Sequence, residues 1–169
     1  MLNTPLSALA ILPYEPAFAK TFKEINEQWI SEMFYLEPKD EAVLNNPQRE
    51  IIDPGGHILF VKLEGRGIVG TGALLKTGEH SYELTKMGVL REARGHHAGD
   101  FLLKALIEKA MSIHAEKLYL LTNSACQAAI HLYEKHGFVH DPDIMAEFGK
   151  EYARGNVAMR YRSTALLIP

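Results

Sequence analysis

The sequence predicts an α/β protein built on one mixed sheet, and three observations carry that expectation. Between residues 57 and 90, three apolar runs rich in β-branched and aromatic residues are separated by short glycine turns, the spacing of an antiparallel meander. The third run is followed by a helical stretch, 98–115, and then by another apolar run, 118–122, which is the length of a parallel βαβ crossover. Ahead of the meander, Phe18, Phe22, Ile25, Trp29 and Met33 draw one stripe along residues 17–34, a helix able to cover one face of the sheet.

In chain order, residues 9–12 form a first strand, stopped by Pro13 and Pro16. The striped helix follows, and Pro38-Lys39-Asp40-Glu41 starts a shorter helix that runs to about residue 46, where Pro47 interrupts it. Asp53-Pro54-Gly55-Gly56 is a strong turn signal before the strand 57–63. Glu64-Gly65-Arg66-Gly67 turns the chain into 68–75, and Thr77-Gly78-Glu79-His80 turns it again into 81–90. The helix 98–115 places Leu102, Leu106, Ala110 and Ile113 on one stripe. A helix over 126–136 places Ala129, Leu132, Tyr133 and His136 on one side and stops at Gly137. Residues 141–154 read as acidic and irregular, and 155–162 as a last strand with Val157, Met159 and Tyr161 inward.

Composition narrows the function classes. The 169 residues have the size of a single domain, 1–169, and 47% hydrophobic content is ample for one core. A net charge of −3 carries no polybasic signature, so nucleic acid is not expected as a partner. The single Cys126 excludes an internal disulfide, and no CxxC or paired His/Cys spacing suggests a metal. Met1-Leu2-Asn3-Thr4-Pro5 has no leader-like pattern and no run approaches a membrane span, so no membrane partner is expected and the cytoplasm is the default location.

Two stretches carry chemistry. Residues 89–103 read as the end of a strand, a tight loop holding Arg94-Gly95 and Gly99, and the first turn of a helix. Such a junction aims several backbone N–H groups at one place, at the positive end of a helix dipole, and makes a cradle for a phosphate or pyrophosphate. Downstream, Leu118-Tyr119-Leu120-Leu121-Thr122-Asn123 ends a strand in Asn, and Ala129, Tyr133, Gly137 and Phe138 follow at fixed spacings. Together these stretches resemble the GNAT superfamily of N-acetyltransferases, whose pyrophosphate loop reads Arg/Gln-x-x-Gly-x-Gly/Ala and whose next segment reads Asn-x(5)-Ala-x(3)-Tyr-x(3)-Gly-Phe. The loop here is Arg94-Gly95-His96-His97-Ala98-Gly99, and it departs from the pattern where the family's most regular glycine is His97. The resemblance is sharp over residues 81–140.

The resemblance implies the GNAT acyl-CoA N-acyltransferase fold, with acetyl-CoA as cosubstrate and direct transfer of its acetyl group to a primary amine of a small molecule or peptide. It implies that Arg94, Gly95, His96, His97, Ala98 and Gly99 hold the pyrophosphate, and that backbone groups near Met87 and Val89 pair with the pantetheine arm. Asn123 is then the arm's side-chain partner, and Tyr133 the group that gives the leaving thiolate a proton or hydrogen bond. The amine must lose its proton before it can attack, and Glu83 is the candidate base because, absent a bulge, it faces the same way as Met87 and Val89. Tyr82, Lys86 and His57 are weaker candidates for that task. In the family the early helices wall the acceptor site, so Trp29, Phe34, Tyr35 and Glu37 are candidate acceptor contacts. The plainer readings are a solvated Glu83 and Glu37 and a Tyr133 that merely fills core. Cys126 starts a helix, but no His or acid sits at a spacing that makes a covalent route attractive.

Adjacent His96 and His97 in a loop are poorly placed to share a metal ion, and phosphate contact is the better reading. Polyamines, aminoglycosides, amino acids, peptide termini and lysines are all compatible acceptors, and a homodimer is compatible with the family. The rival from another class is a non-catalytic acyl-CoA-binding or regulatory module, motivated by the missing loop glycine; it would bind acetyl-CoA yet release no thiol.

Overall fold

A computed structural model describes residues 8–162, so the amino-terminal segment read for a leader lies outside the described residues. The chain runs β1 (Leu9–Pro13), α1 (Ala19–Met33), α2 (Pro38–Asn45), β2 (His57–Leu63), β3 (Gly67–Gly78), β4 (Ser81–Val89), α3 (Ala98–Ser112), β5 (Lys117–Thr122), α4 (Gln127–Lys135), β6 (Phe138–His140), α5 (Pro142–Phe148) and β7 (Val157–Tyr161). These strands form one seven-stranded sheet in the order β1-β2-β3-β4-β5-β7-β6. Every neighbouring pair is antiparallel except β4 and β5, which α3 joins as a parallel crossover. The meander and the crossover thus stand where the glycine spacing and the strand-helix-strand run put them.

Each face of the sheet has its own core. On one, Leu102, Leu103 and Leu106 of α3 pack with Val61, Leu84 and Leu120. On the other, Phe22 and Ile30 of α1 and Val43 and Leu44 of α2 pack with Ile58, Phe60 and Ala73. The buried stripe of α1 is Phe22, Ile25, Asn26 and Ile30 rather than the one ending at Met33, which stays half-exposed. Asn26 can turn inward because its amide nitrogen donates to Phe22 O (2.9 Å) while its oxygen accepts from Trp29 Nε1 (2.8 Å).

Three segments differ from the sequence reading. Residues 48–52 form a π-helical turn after Pro47. α3 ends at Ser112, short of 115, because His114 takes a left-handed φ of 60° that a helix cannot continue through. The stretch 141–154 is not irregular throughout, since it opens with α5. Asp141 caps that helix, accepting from Asp143 N (2.9 Å) and Ile144 N (3.3 Å), with Pro142 in the first turn. What reads as acidic loop is in part a capped helix start. Among the described residues, no helix is long and apolar enough to cross a membrane.

Candidate active site

The site begins where the sheet opens. β4 pairs with β5 only from Ser81↔Lys117 to Leu84↔Leu120, whereas β5 stays paired with β7 as far as Thr122↔Val157. Beyond Leu84 the two parallel strands diverge, and the β4 edge facing the fork from Thr85 to Val89 has no strand partner. The divergence coincides with a bulge: β3 pairs Ala73 with Thr85 and Thr71 with Gly88, so Lys86 and Met87 together oppose the single Gly72. Lys86 takes a left-handed φ of 52° there.

The bulge reverses side-chain parity. Tyr82 and Leu84 before it, and Met87 and Val89 after it, all pack on the α3 face, while Glu83 and Lys86 turn to the α1/α2 face. Glu83 therefore does not face the same way as Met87 and Val89, contrary to the reading of an unbroken strand. One inserted residue is enough to move it.

On the α3 face the fork forms a groove. A hollow of about 590 Å³ lies between Met87, Gly88 and Val89 on one wall and Cys126, Ala129 and Tyr133 on the other. It borders a second hollow, of about 300 Å³, at the start of α3, lined by Arg94, Gly95, His97, Ala98 and Gly99. His97 caps α3 with φ 64° and ψ 16°, so the position that carries glycine in the family pattern is left-handed here and a histidine occupies it. Its side chain is exposed at the hollow, whereas His96 is buried and turned away from it. Arg91 and Arg94 are drawn toward Glu32 of α1, at 2.9 and 3.6 Å. Asp100 also borders this hollow. Burial works against its ionisation, but Lys135 (2.8 Å) and His136 (3.0 Å) outweigh that and hold its carboxyl below the usual range, with its charge engaged.

At its inner end the groove narrows to a cleft of about 60 Å³, lined by Trp29, Phe34, Lys86, Asn123, Tyr133, Tyr152 and Arg154 among others. Trp29 lies against Gly88, where any added Cβ would collide with the indole. Asn123 donates to Arg154 O (2.7 Å) and accepts from Ala125 N (2.8 Å), so it ties the end of β5 to the segment before β7. The Tyr133 ring packs edge-on to Phe138 at 5.8 Å, while its hydroxyl makes no hydrogen bond with another described residue. Burial, and secondarily the nearby Cys126, push that hydroxyl well above its usual range, so it stays protonated and available as a donor.

Behind the cleft, on the α1/α2 face, lies a group of buried charges. Asp40 is fully buried and accepts from Lys86 Nζ (2.8 Å) and from both terminal nitrogens of Arg154 (2.6 and 2.8 Å). Glu37 accepts from Arg154 (2.9 Å) and from Ala153 N (3.0 Å), and Lys86 donates to the Tyr152 hydroxyl (3.0 Å). Burial opposes ionisation of Asp40, yet the hydrogen bonds from Arg154 and the charge of Lys86 hold its carboxyl far below the usual range. Burial draws Lys86 down from its ordinary value, and Asp40 resists. Glu83, 1% exposed, is pushed up to about 7, chiefly by burial and then by the neighbouring Glu151, against the pull of Lys39 and Lys86.

The sequence candidates divide accordingly. Met87, Val89, Arg94, Gly95, His97, Ala98, Gly99 and Tyr133 line the connected hollows, and Asn123 and Lys86 line the inner cleft. Glu83 is not among the lining residues of any of them. Tyr82 is in the α3-face core, and His57 is half-buried at the start of β2. Trp29 and Phe34 reach the cleft, Tyr35 is 70% exposed outside it, and Glu37 is neither a cleft residue nor solvated, because Arg154 holds it. Sequence reasoning missed Asp40, Tyr152 and Arg154. Asp40 had a local explanation, since its carboxylate accepts from Glu37 N (2.9 Å) as half of a capping box, and nothing local marks its longer-range pairs.

A parallel pair of strands forked over an unpaired edge, with the start of a helix at the mouth of the fork, agrees with the acyltransferase fold that the sequence resemblance implies. The chain belongs to the acetyltransferase (GNAT) family, whose model matches residues 19–138. It is 26% identical over 140 residues to YjgM, an uncharacterized N-acetyltransferase of Escherichia coli K12, covering 82% of this chain and 84% of that protein. Its fold is similar to a GNAT-family acetyltransferase of Staphylococcus aureus Mu50, with a TM-score of 0.80 at 22% identity over 91% of this chain and 98% of that one. It is also similar to the spermidine N-acetyltransferase of Vibrio cholerae in complex with CoA and spermine, with a TM-score of 0.66 at 20% identity over 91% and 94% of the two chains. The family and fold expected from the loop and from the Asn123 to Phe138 pattern hold, and the protein is an acetyltransferase.

Proposed function

We propose that this acetyltransferase uses acetyl-CoA and passes the acetyl group directly to an amine bound at the inner cleft. The observation that carries the reading is the unpaired β4 edge from Thr85 to Val89 running into the start of α3, an extended hydrogen-bonding rail that ends in an anion cradle. These residues fit an elongated donor with a phosphorylated end. When bound, acetyl-CoA supplies an acetyl group activated as a thioester. Backbone N–H groups of residues 94–99 hold its pyrophosphate, with Arg94 adding charge and His97 a side-chain contact, and the backbone near Met87 and Val89 pairs with its arm. Asn123 orients the arm from the opposite strand.

Tyr133 donates a hydrogen bond or proton to the departing sulfur, a role for which its lack of a hydrogen-bond partner among the described residues suits it. Glu83 takes the proton that the acceptor amine must lose. It does so at one remove, because it lies behind the cleft and not in its lining.

The test combines thiol release with substitution. Acetyl-CoA and a panel of amines should yield free coenzyme A thiol, and Tyr133→Phe should lower turnover roughly 10²–10⁴-fold. Acetyl-CoA affinity and melting temperature should barely move, because the ring still packs on Phe138. Binding of acetyl-CoA with no thiol released by any amine would instead identify a non-catalytic binding module.

A further inference from the structure

We propose that the acceptor carries a carboxylate close to its reacting amine, as an amino acid does, and that Arg154 receives that carboxylate at the inner cleft. The proposal rests on the transferase reading above and adds the chemical class of its acceptor.

The charge of the lining comes first. Among the described residues that line the inner cleft there is no Asp or Glu, while Lys86 and Arg154 are both present. Their partners Asp40 and Glu37 are not lining residues, and the Asp40 side chain is 0% exposed. Lys86 is itself buried, with a side chain 2% exposed, so Arg154 is the cation that the lining presents to the cleft. A polyamine or aminoglycoside, with further ammonium groups to satisfy, would meet that cation and no carboxylate in the cleft.

The donors are also not exhausted. Arg154 gives two hydrogen bonds from Nη1, to Glu37 and Asp40, and one from Nη2 to Asp40, which leaves Nε–H and the second Nη2 hydrogen of its five. Lys86 stands behind it, bonded to Asp40 and Tyr152 with its side chain buried. A carboxylate is the group that accepts from such residual, charged donors.

Aromatic walls offer the other common way to hold an ammonium, and here they are already engaged. The Tyr152 ring has Lys39, Lys86 and Arg154 at 5.0, 4.6 and 4.8 Å from its centroid, and Phe34 has Arg154 at 5.9 Å. The protein's own cations occupy the π-faces that would otherwise cage a substrate cation. Trp29 lies against Gly88.

Two further features agree. A cleft of about 60 Å³ has room for about four to six water-sized groups, enough for an amine, one carbon and a carboxylate, with the rest of the molecule directed outward. An ammonium placed near Arg154 loses its proton more readily than in water, which favours the attacking form. The carboxylate then offsets the unfavourable approach of that amine to the guanidinium.

The experiment is thiol release from acetyl-CoA with matched acceptors: the common amino acids and β-alanine, each beside its carboxamide and its decarboxylated amine, with spermidine as the polycation. The expected result is a kcat/KM for the best amino acid at least about a hundredfold above that of its carboxamide, as for a buried charge-assisted pair. Arg154→Gln should bring that ratio close to one, acting on the acid and sparing the amide. If that variant does not fold, Arg154→Lys keeps a cation beside Asp40 and should still reduce the ratio, because an ammonium cannot reproduce the guanidinium fork. Equal or better turnover of the carboxamides, the simple amines or spermidine overturns the proposal while leaving the transferase standing. A ratio unchanged in both variants removes Arg154 from acceptor recognition, and thiol release with no amine at all overturns both readings together.

Discussion

The two flanks of the fork are built on opposite principles. The flank proposed for the donor is mostly main chain: an unpaired strand edge, a left-handed residue and the first N–H groups of a helix, all within residues 85–99. The flank proposed for the acceptor is side chains brought from far apart, with Lys86 reaching Asp40 across 46 residues and Tyr152 across 66, and Arg154 reaching Asp40 and Glu37 across 114 and 117. A main-chain arrangement depends less on which side chains it carries. A buried set of charges tolerates little, because each member is the counterion of another. The contrast suits a transferase that keeps a common donor and changes its acceptor.

Removing Asp40 should break the comparison most sharply. Asp40→Ala leaves Lys86 and Arg154 without their shared counterion and should destabilise the fold by about 3–5 kcal/mol, read by denaturant or thermal unfolding. The folded fraction should still bind acetyl-CoA normally. A matching loss of donor affinity would show that the flanks are not separable.

Glu83→Gln tests the same flank through pH. Glu83 sits at about 7 in the folded protein against an ordinary 4.5, so the folded state retains a proton that the unfolded state has released between those values. Its contribution is fully present below pH 4.5 and is lost as pH rises through about 7, on the order of 3 kcal/mol in all. The variant lacks that loss. Its stability relative to the wild type should therefore improve from pH 4.5 to 7 and level off above, while turnover falls and the rate profile loses its inflection near 7. A constant stability difference across that range would mean that Glu83 does not titrate there.

The smallest effect belongs to the donor flank. His97→Gly relieves a left-handed non-glycine residue, worth roughly 1–2 kcal/mol at most, and should raise the melting temperature slightly. Acetyl-CoA binding should weaken at the same time, because the exposed imidazole beside the hollow is lost. Unchanged affinity would leave His97 without a phosphate contact.

Much of this was legible in the chain. Phe18 to Trp29 marked α1, the glycine turns marked the meander, and Arg94 to Gly99 with Asn123, Tyr133 and Gly137-Phe138 marked the family. Glu83 was found by residue type and strand position but assigned to the wrong face, because parity counting assumes an unbroken strand. Asp40 and Glu37 look like an ordinary helix start, and Arg154 lies in a stretch with no periodicity to read.

What the sequence determined by itself is what short-range geometry governs. Hydrophobic period sets helix or strand, glycine sets the turns, and a strand-loop-helix junction aims backbone N–H groups at one place. What only the tertiary structure decided is which face Glu83 and Lys86 take, and which charges share the interior. The first depends on a single extra residue opposite Gly72, which exists only because β4 pairs with β3 in that register. The second depends on burial, since Asp40 and Lys86 are ordinary surface types until the fold removes water from them and sets Arg154, Glu37 and Tyr152 beside them.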